Sequence, residues 1–575
     1  MVRIGLIGGV FSAIVCALLL YDYTLRQADD PAETIAFRAM KAALHENPAN
    51  DELRQQLRYL DQALRDDYFR RRAFAAVGGV LLLAGVAVTL IAATRAAVLN
   101  RPVPTPETLD PPTDVETALA RLARWGIAGM GVALAVTAAG LSIAYRSPIA
   151  EWDEAAAVTH ADATDTATTA VPAGYPPPSR EDIEAAWPRF RGPYGNGISA
   201  FTNVPKEWDA AAGKNIRWKT EVPLPGNSSP IVWKDRVFLT GADADRRAVF
   251  CFDADSGNLL WQAEVPGTPH SKAEPPEVMD DTGFAAPTPV TDGRHVFAIF
   301  ANGDLAAFDF DGKLAWSHSF GIPENVYGHA ASLAMHEGLL FVQIDQGHQG
   351  PEEKSRLYAM NAATGAITWE VKRPVPNSWT TPIVVEHDGR WQIITAADPW
   401  VIAYNPADGT ELWRVKCLRG DCGPSPVLAG GLVQIGNEYC QWSAIRADGT
   451  GDVTETHIAW TAEDGLPDAC SPLATDELVI LMPATGYFTG LDAKTGEMLW
   501  EVEFDEHFTS SPSLVGDLVY LFDKEGGSWI GRPTQEGCEK VSEASLGEPC
   551  VTSPAFQDGR IYIRGKVHLF CIEEN

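Results

Sequence analysis

The sequence is short of basic residues. Lys and Arg number 45 against 76 Asp and Glu, a formal net charge of -31. A phosphate backbone has to be met with Lys and Arg, so no nucleic acid partner is expected. There is no Gly-x-Ser-x-Gly and no phosphate-binding glycine loop, so neither common nucleophile nor nucleotide signature is present. No Cys-x-x-Cys-His occurs, which excludes an attached c-type haem, and nowhere do two cysteines adjoin. Cysteine is sparse: Cys16 lies in an apolar segment, and the other eight lie beyond residue 250. Eight cysteines in an exported domain permit disulfides.

Long apolar runs are confined to the first quarter of the chain. Residues 4–21, 73–93 and 126–145 are each close to the length of a membrane span. The latter two are rich in Gly and Ala, which suits close helix packing in lipid. Between the first two, residues 22–72 carry Leu53, Leu57, Leu60 and Leu64 at helical spacing, and Asn47-Pro48 divides them into a helical hairpin. Arg95, Arg101, Arg121 and Arg124 place the 94–125 loop in the cytoplasm by the positive-inside rule, although Arg70, Arg71 and Arg72 oppose this. The expectation is a multi-pass protein of the inner (cytoplasmic) membrane with its C-terminal domain on the extracytoplasmic side. Residues 147–186 read as a Pro/Ala/Thr linker without periodicity.

The remaining residues, 187–575, repeat one phrase. Its clearest copy is Ser471 to Trp500: a Ser-Pro opening, an apolar strand, a turn, a second and third strand, the turn Ala-Lys-Thr-Gly, and a fourth strand ending on Trp. Openings recur at Pro230, Pro287, Pro382, Pro426, Pro472, Pro512 and Pro554, with a degraded copy at Ala331-Ser332. The closing tryptophans are Trp218, Trp261, Trp316, Trp369, Trp413, Trp460 and Trp500. Four strands in about 40 residues is one β-propeller blade. Gly in the turn before each Trp supplies positive φ, and a Trp at one fixed place can wedge between neighbouring sheets. The last copy ends after three strands, and residues 215–222 carry a repeat-type Trp with no opening before it. The expected fold is an all-β eight-bladed propeller of four-stranded antiparallel blades, closed by the 215–222 strand and preceded by three transmembrane helices.

The run WPRFRGPYGNG (187–197), then VPKEW (204–208) and NIRWKTEVPLPGNSSPIVWKDRVFLT (215–240), together with turns such as DAKTGEMLW (492–500), resembles the PQQ-like propeller-repeat proteins. The resemblance covers about two-thirds of the chain. It implies the eight-bladed fold, shared by quinoprotein dehydrogenases and by members that bind no quinone, such as the outer-membrane assembly lipoprotein. The dehydrogenases typically carry a vicinal Cys-Cys, a Trp under the quinone and a Glu/Asn/Asp calcium set. The first is missing here and the others do not align, so no cofactor is expected, with PQQ and Ca²⁺ as the alternative.

Propeller geometry gathers the inter-blade loops and the loops between second and third strands at one end of the axis. The inter-blade loops offer Tyr327, His329, Trp379, Asp421, Asp468 and His507. The mid-blade loops offer Asp345, His348, Asp398, Trp400, Glu438, Tyr439 and Lys524. Aromatics, histidines and acids mix in ligand sites, although funnel loops are polar in any propeller. His329, Asp345 and His348 form the set most like a metal site, yet they lie in different loops, and no metal is expected. Cys417 with Cys422, and Cys440 with Cys470, are candidate disulfides across the rim; Cys251 and Cys571 read as buried thiols. The acids of the 267–283 insert, Glu274, Glu277, Asp280 and Asp281, suit a basic partner or Ca²⁺, or plain solvation. No catalytic residue is assigned. The function expected is binding: a scaffold for a protein partner or a cell-envelope ligand. The alternatives are a PQQ-dependent alcohol or sugar dehydrogenase and a sensory module.

Overall fold

The computed structural model describes residues 177–268 and 275–574, within the compact unit Asp165–Asn575. The expected spans and the 22–72 hairpin lie outside these residues, as does most of the 147–186 segment. Among the described residues there are two α-helices, α1 (Arg180–Glu184) and α2 (Thr454–His457). No described helix is long and apolar enough to cross a membrane. Helix α1 starts where Ser179 Oγ accepts from the Asp182 N–H at 3.1 Å, with Glu181 and Asp182 in its first turn.

The strands form eight sheets, each a blade built from consecutive antiparallel strands. Blade 1 runs from Ile231–Trp233 to Leu259–Glu264 and blade 2 from Val290–Thr291 to Leu314–Ser319. Blade 3 runs from Ala334–His336 to Ile367–Arg373 and blade 4 from Ile383–His387 to Glu411–Lys416. Blade 5 runs from Val427–Ala429 to Ile458–Ala462 and blade 6 from Leu473–Ala474 to Met498–Glu503. Blade 7 runs from Ser513–Val515 to Gly537–Ser545. Blade 8 has three C-terminal strands, from Ala555–Gln557 to His568–Glu573. Its fourth is β2 (Ile216–Glu221), which pairs antiparallel with His568–Glu573. The ring is therefore closed by the strand that the sequence left without an opening.

Middle strands are covered on both faces by neighbouring blades. They are continuous apolar runs, as in Arg247–Asp253, where Arg247 to Phe252 are all buried. Fourth strands alternate because one face meets solvent. Their tryptophans wedge between blades as expected. The indole N–H of Trp218, Trp261, Trp316, Trp369, Trp460 and Trp500 donates to a turn carbonyl of the next blade at 2.7–3.0 Å. The turn glycine is needed twice over. Gly257 has φ 71°, and a Cβ there would stand 2.5 Å from the Trp218 ring of the preceding blade. Trp413 is the exception: it is fully buried and donates to Gln392 of its own blade at 2.7 Å. In place of a short turn between the third and fourth strands of blade 5, the chain forms a fifth strand on blade 4, Gly451–Asp452, and then α2.

The WPRFRGPYGNG run closes the end of the axis opposite the inter-blade loops. Trp187 exchanges hydrogen bonds with Val232 of blade 1, and Pro188 O accepts from Thr291 of blade 2. Arg189 donates to Met335 O of blade 3, and the buried Arg191 donates to Pro472 O at the opening of blade 6. Strand β1 (Ile198–Ser199) then pairs in parallel with Ser513–Val515 of blade 7. Gly192, φ 82°, allows the turn: a Cβ there would meet Trp187 at 2.8 Å. Blade 7 has no closing Trp. Trp208, stacked on Phe522 at 5.8 Å, fills that junction instead.

Candidate functional site

Every blade begins at the axis with a hydroxyl residue. These are Ser229, Thr288, Ser332, Thr381, Ser425, Ser471, Ser511 and Ser553, and all eight line the funnel. The backbone N–H of each donates to the hydroxyl oxygen of the next around the ring, and Ser553 donates to Ser229, at 2.9–3.0 Å throughout. The circuit ties all blades together at the one place where their backbones converge. It also shows what the Ser-Pro openings are for. In the degraded copy Ser332 keeps the hydroxyl while Leu333 replaces the proline, and in blade 2 the hydroxyl is on Thr288, one residue past the Pro287 read as the opening. The hydroxyl is the repeated function; the proline only accompanies it.

Above this ring lies a cavity of about 440 Å³. Seven of the funnel candidates line it: Tyr327, Trp379, Asp421, Glu438, Tyr439, Asp468 and Lys524. Asp281 of the acidic insert joins them, and Phe190 of the axial plug also borders it. The wall formed by blades 3, 4 and 5 is held rigidly. The Trp379 indole donates to Gly328 O at 3.0 Å, and its ring lies 4.8 Å from that of Tyr327. Tyr327 Oη donates to Asp421 at 3.0 Å, and this bond holds the phenol pKa above its ordinary value. Asn437 Nδ2 donates to the carbonyls of Arg419 and Asp421, and Asp398 accepts the Gly420 N–H at 3.0 Å. Tyr439, 54% exposed, packs over Gly420. Asp398 thus supports the site from behind and does not line it.

The other candidates are not brought together here. Asp345 is buried in an ion pair with Arg373 at 2.7 and 3.1 Å and accepts from Gln343 and Ser378. Burial would lower the Arg373 pKa, but the adjoining Asp345 outweighs it and the net shift is upward. His329 is 1% exposed with no hydrogen bond of normal geometry from either ring nitrogen. Burial holds its pKa down to about 4, the Ala331 backbone acting weakly in the opposite sense. His348 is exposed. Among the described residues no group of three His, Cys, Asp or Glu is placed to hold a metal ion. Trp400 packs under the Arg414 guanidinium, 5.2 Å away. His507 sits exposed at the rim against Ala484 O, at 3.1 Å.

The cysteines differ from expectation. All eight described are free thiols. Cys417, Cys422 and Cys440 belong to one apolar cluster and Cys470 to another. Burial pushes Cys417 up to about 12 and Cys422 well above its ordinary value, so these thiols stay protonated and poorly nucleophilic. Cys251 and Cys571 are buried thiols, as read from the sequence.

The funnel does not suit a pyrroloquinoline quinone. That molecule is a tricarboxylate, and the lining offers Asp281, Asp421, Glu438 and Asp468 against Lys524, which already lies 3.8 Å from Asp281. Four acids facing three more carboxylates is repulsive at these distances.

The chain is similar to several known proteins. The outer membrane protein assembly factor BamB of Yersinia pestis is 25% identical over 289 residues, 48% of this chain and 70% of that one. The structure of BamB from Moraxella catarrhalis is 15% identical with a TM-score of 0.45, covering 62% of this chain and 99% of that one. The quinohemoprotein alcohol dehydrogenase of Comamonas testosteroni is 14% identical with a TM-score of 0.49, covering 67% and 80%. The expected placement as a multi-pass protein of the inner membrane is corrected by the relatives that the chain matches. The relatives named here as assembly factors carry the name of the outer membrane. The expected spans themselves lie outside the described residues. The family model described as "Outer membrane protein assembly factor BamB" matches residues 203–320, 246–385, 353–521 and 397–573, which together span the whole propeller, and the chain belongs to this PQQ-repeat family.

Proposed function

We propose that this chain is a protein-binding platform in the assembly of outer-membrane proteins, and that its partner docks on the funnel end of the propeller. One observation carries the choice of end. Met279, Val326 and Tyr439 are each more than half exposed; Tyr439 lines the funnel with Tyr327 and Trp379, the Met279 N–H donates to Tyr327 O, and Val326 directly precedes Tyr327. Large apolar side chains are seldom left so exposed beside a rigid aromatic wall unless something covers them. The rest of the rim is acidic, which suits a partner with a basic patch. The family's printed description as an assembly factor supports the same reading.

A photoreactive residue placed at Val326 or Tyr439 in the full chain, in its own cells, tests this. The expected result is a covalent adduct with a component of the outer-membrane assembly machinery. The same residue at Leu259, exposed on the fourth strand of blade 1, is expected to give none. Adducts from Leu259 alone would place the docking surface on the blade edges instead.

A further inference from the structure

The wall shared by blades 3, 4 and 5 has a chemistry of its own. Three aromatic rings, Tyr327, Trp379 and Tyr439, line one side of the cavity. The carboxylates of Asp421 and Glu438 stand among them. Tyr327 donates to Asp421, and Glu438 raises the pKa of the neighbouring Tyr439. Among the described residues Lys524 is the one cationic residue lining the cavity, and Asp281 holds it. Asp421 and Glu438 therefore face the aromatic pocket without a cation of their own.

From this arrangement we propose that the funnel binds an organic cation of the alkylammonium class, its charged head on Asp421 and Glu438 and its carbon chain against Tyr327, Trp379 and Tyr439. Aromatic faces attract an ammonium through their quadrupole, most strongly where water is partly excluded. Nearby carboxylates add direct attraction and hydrogen-bond acceptors. Other ligand classes fit less well. An anion is repelled by the acids. A bare metal ion is best held by three or more converging His, Cys, Asp or Glu side chains, and among the described residues no such group is placed to hold one. The cavity, about 440 Å³, lies in the range of small-molecule sites. The loops are set in advance: Asn437 and Asp398 fix the Asp421 loop, and Trp379 is locked by Gly328. Binding then orders little that is not already ordered. The same head group occurs on a free polyamine and on a lysine side chain. The inference does not depend on the docking role of the rim, because a small amine can enter whether or not a protein covers it.

Calorimetric titration of the purified full chain tests it. Spermidine represents the free amine, and a short lysine-bearing peptide represents the side chain. The same peptide with its lysine acetylated is the neutral control. Binding of either amine is expected, weakening as NaCl is raised, with the acetylated peptide at least tenfold weaker. Whichever of spermidine and the peptide binds more tightly identifies the source. Asp421→Asn, which keeps shape and removes charge, and Trp379→Phe, which keeps a ring but loses the better cation acceptor, are each expected to weaken binding about tenfold. Unchanged melting temperatures would show that these variants still fold. No heat from either amine at millimolar concentration would overturn the proposal. Equal binding of the acetylated peptide, or affinities untouched by both substitutions, would do the same. Neither result would alter crosslinking at Val326, so the two readings fail separately.

Discussion

At the scale of single residues, the eight axial hydroxyls and the buried polar groups make distinct demands. Ser425→Ala removes the acceptor of the Thr381 N–H at the axis. A buried donor left unpaired costs about 1–3 kcal/mol. Urea unfolding is expected to show a loss in that range, largely restored by Ser425→Thr. The Asp345–Arg373 pair should be more sensitive. Asp345→Ala leaves a guanidinium that is 0% exposed beside Thr395 and Tyr404 alone. Breaking such a pair from one side costs roughly 3–5 kcal/mol, so this variant is expected to lose more than Ser425→Ala loses. His329 makes stability depend on pH. Its folded pKa of about 4 lies below the ordinary histidine value of 6.5. Below 6.5 the unfolded chain takes up a proton that the folded chain refuses. Stability is therefore full above 6.5 and falls as pH drops toward 4, by up to roughly 3 kcal/mol from this group. His329→Gln is expected to flatten that part of the curve relative to the parent, read by urea unfolding at pH 7 and pH 5. A parallel decline in both would assign the slope to other groups.

At the scale of elements, five of the eight junctions use the same device, a tryptophan lying over a positive-φ glycine in the turn of the next blade. Gly257→Ala meets two obstacles, a φ of 71° and a ring 2.5 Å away. Strain of this kind costs on the order of 1–3 kcal/mol. The expected loss is of that size, and Gly213→Ala, also at positive φ but with nothing near its added Cβ, should lose less. The difference between the two measures how much the Trp218 contact adds to backbone strain alone. The axial plug shows a related economy. Arg191 is buried with two of its nitrogens unpartnered, and desolvation brings its pKa down to about 9. It is held there by carbonyls of Asn196 and Pro472, one inside the plug and one at a blade opening, so the plug is fastened to the ring that it closes.

At the scale of the whole molecule, the ring exists because its last blade is made from both ends of the domain. Blade 8 needs Ile216–Glu221 beside His568–Glu573. A chain lacking 177–222 would lose this strand and the plug together, leaving His568–Glu573 as an open edge. Such an edge invites pairing with another chain. The shortened chain is expected to melt at lower temperature and to self-associate, followed by calorimetry and light scattering. A monomer with unchanged melting would show that the closing strand is dispensable. Charge also acts at this scale. With a formal charge of -31, the molecule repels anionic surfaces and attracts basic ones from a distance, and that attraction weakens with salt.

The sequence by itself determined the architecture. A period of about 40 residues, a Trp at one place in each copy, an incomplete last copy and an unclaimed strand at 215–222 are local signals, and they led to eight blades, their closure and the end of the axis where loops gather. The tertiary structure decided what the polar residues do. Asp345 and Asp421 look alike in the sequence, each in a loop at the funnel end. One is buried against Arg373, 28 residues away, and the other faces the cavity beside Tyr327, 94 residues away. Cys440 and Cys470 fall in facing loops yet pack into different clusters. The hydroxyl circuit was half visible, as Ser-Pro pairs, but its meaning needed all eight copies side by side. The physical reason is the same each time. Backbone pattern depends on near neighbours along the chain, whereas whether a charge, thiol or hydroxyl is paired, buried or free depends on residues that only the closed ring brings together.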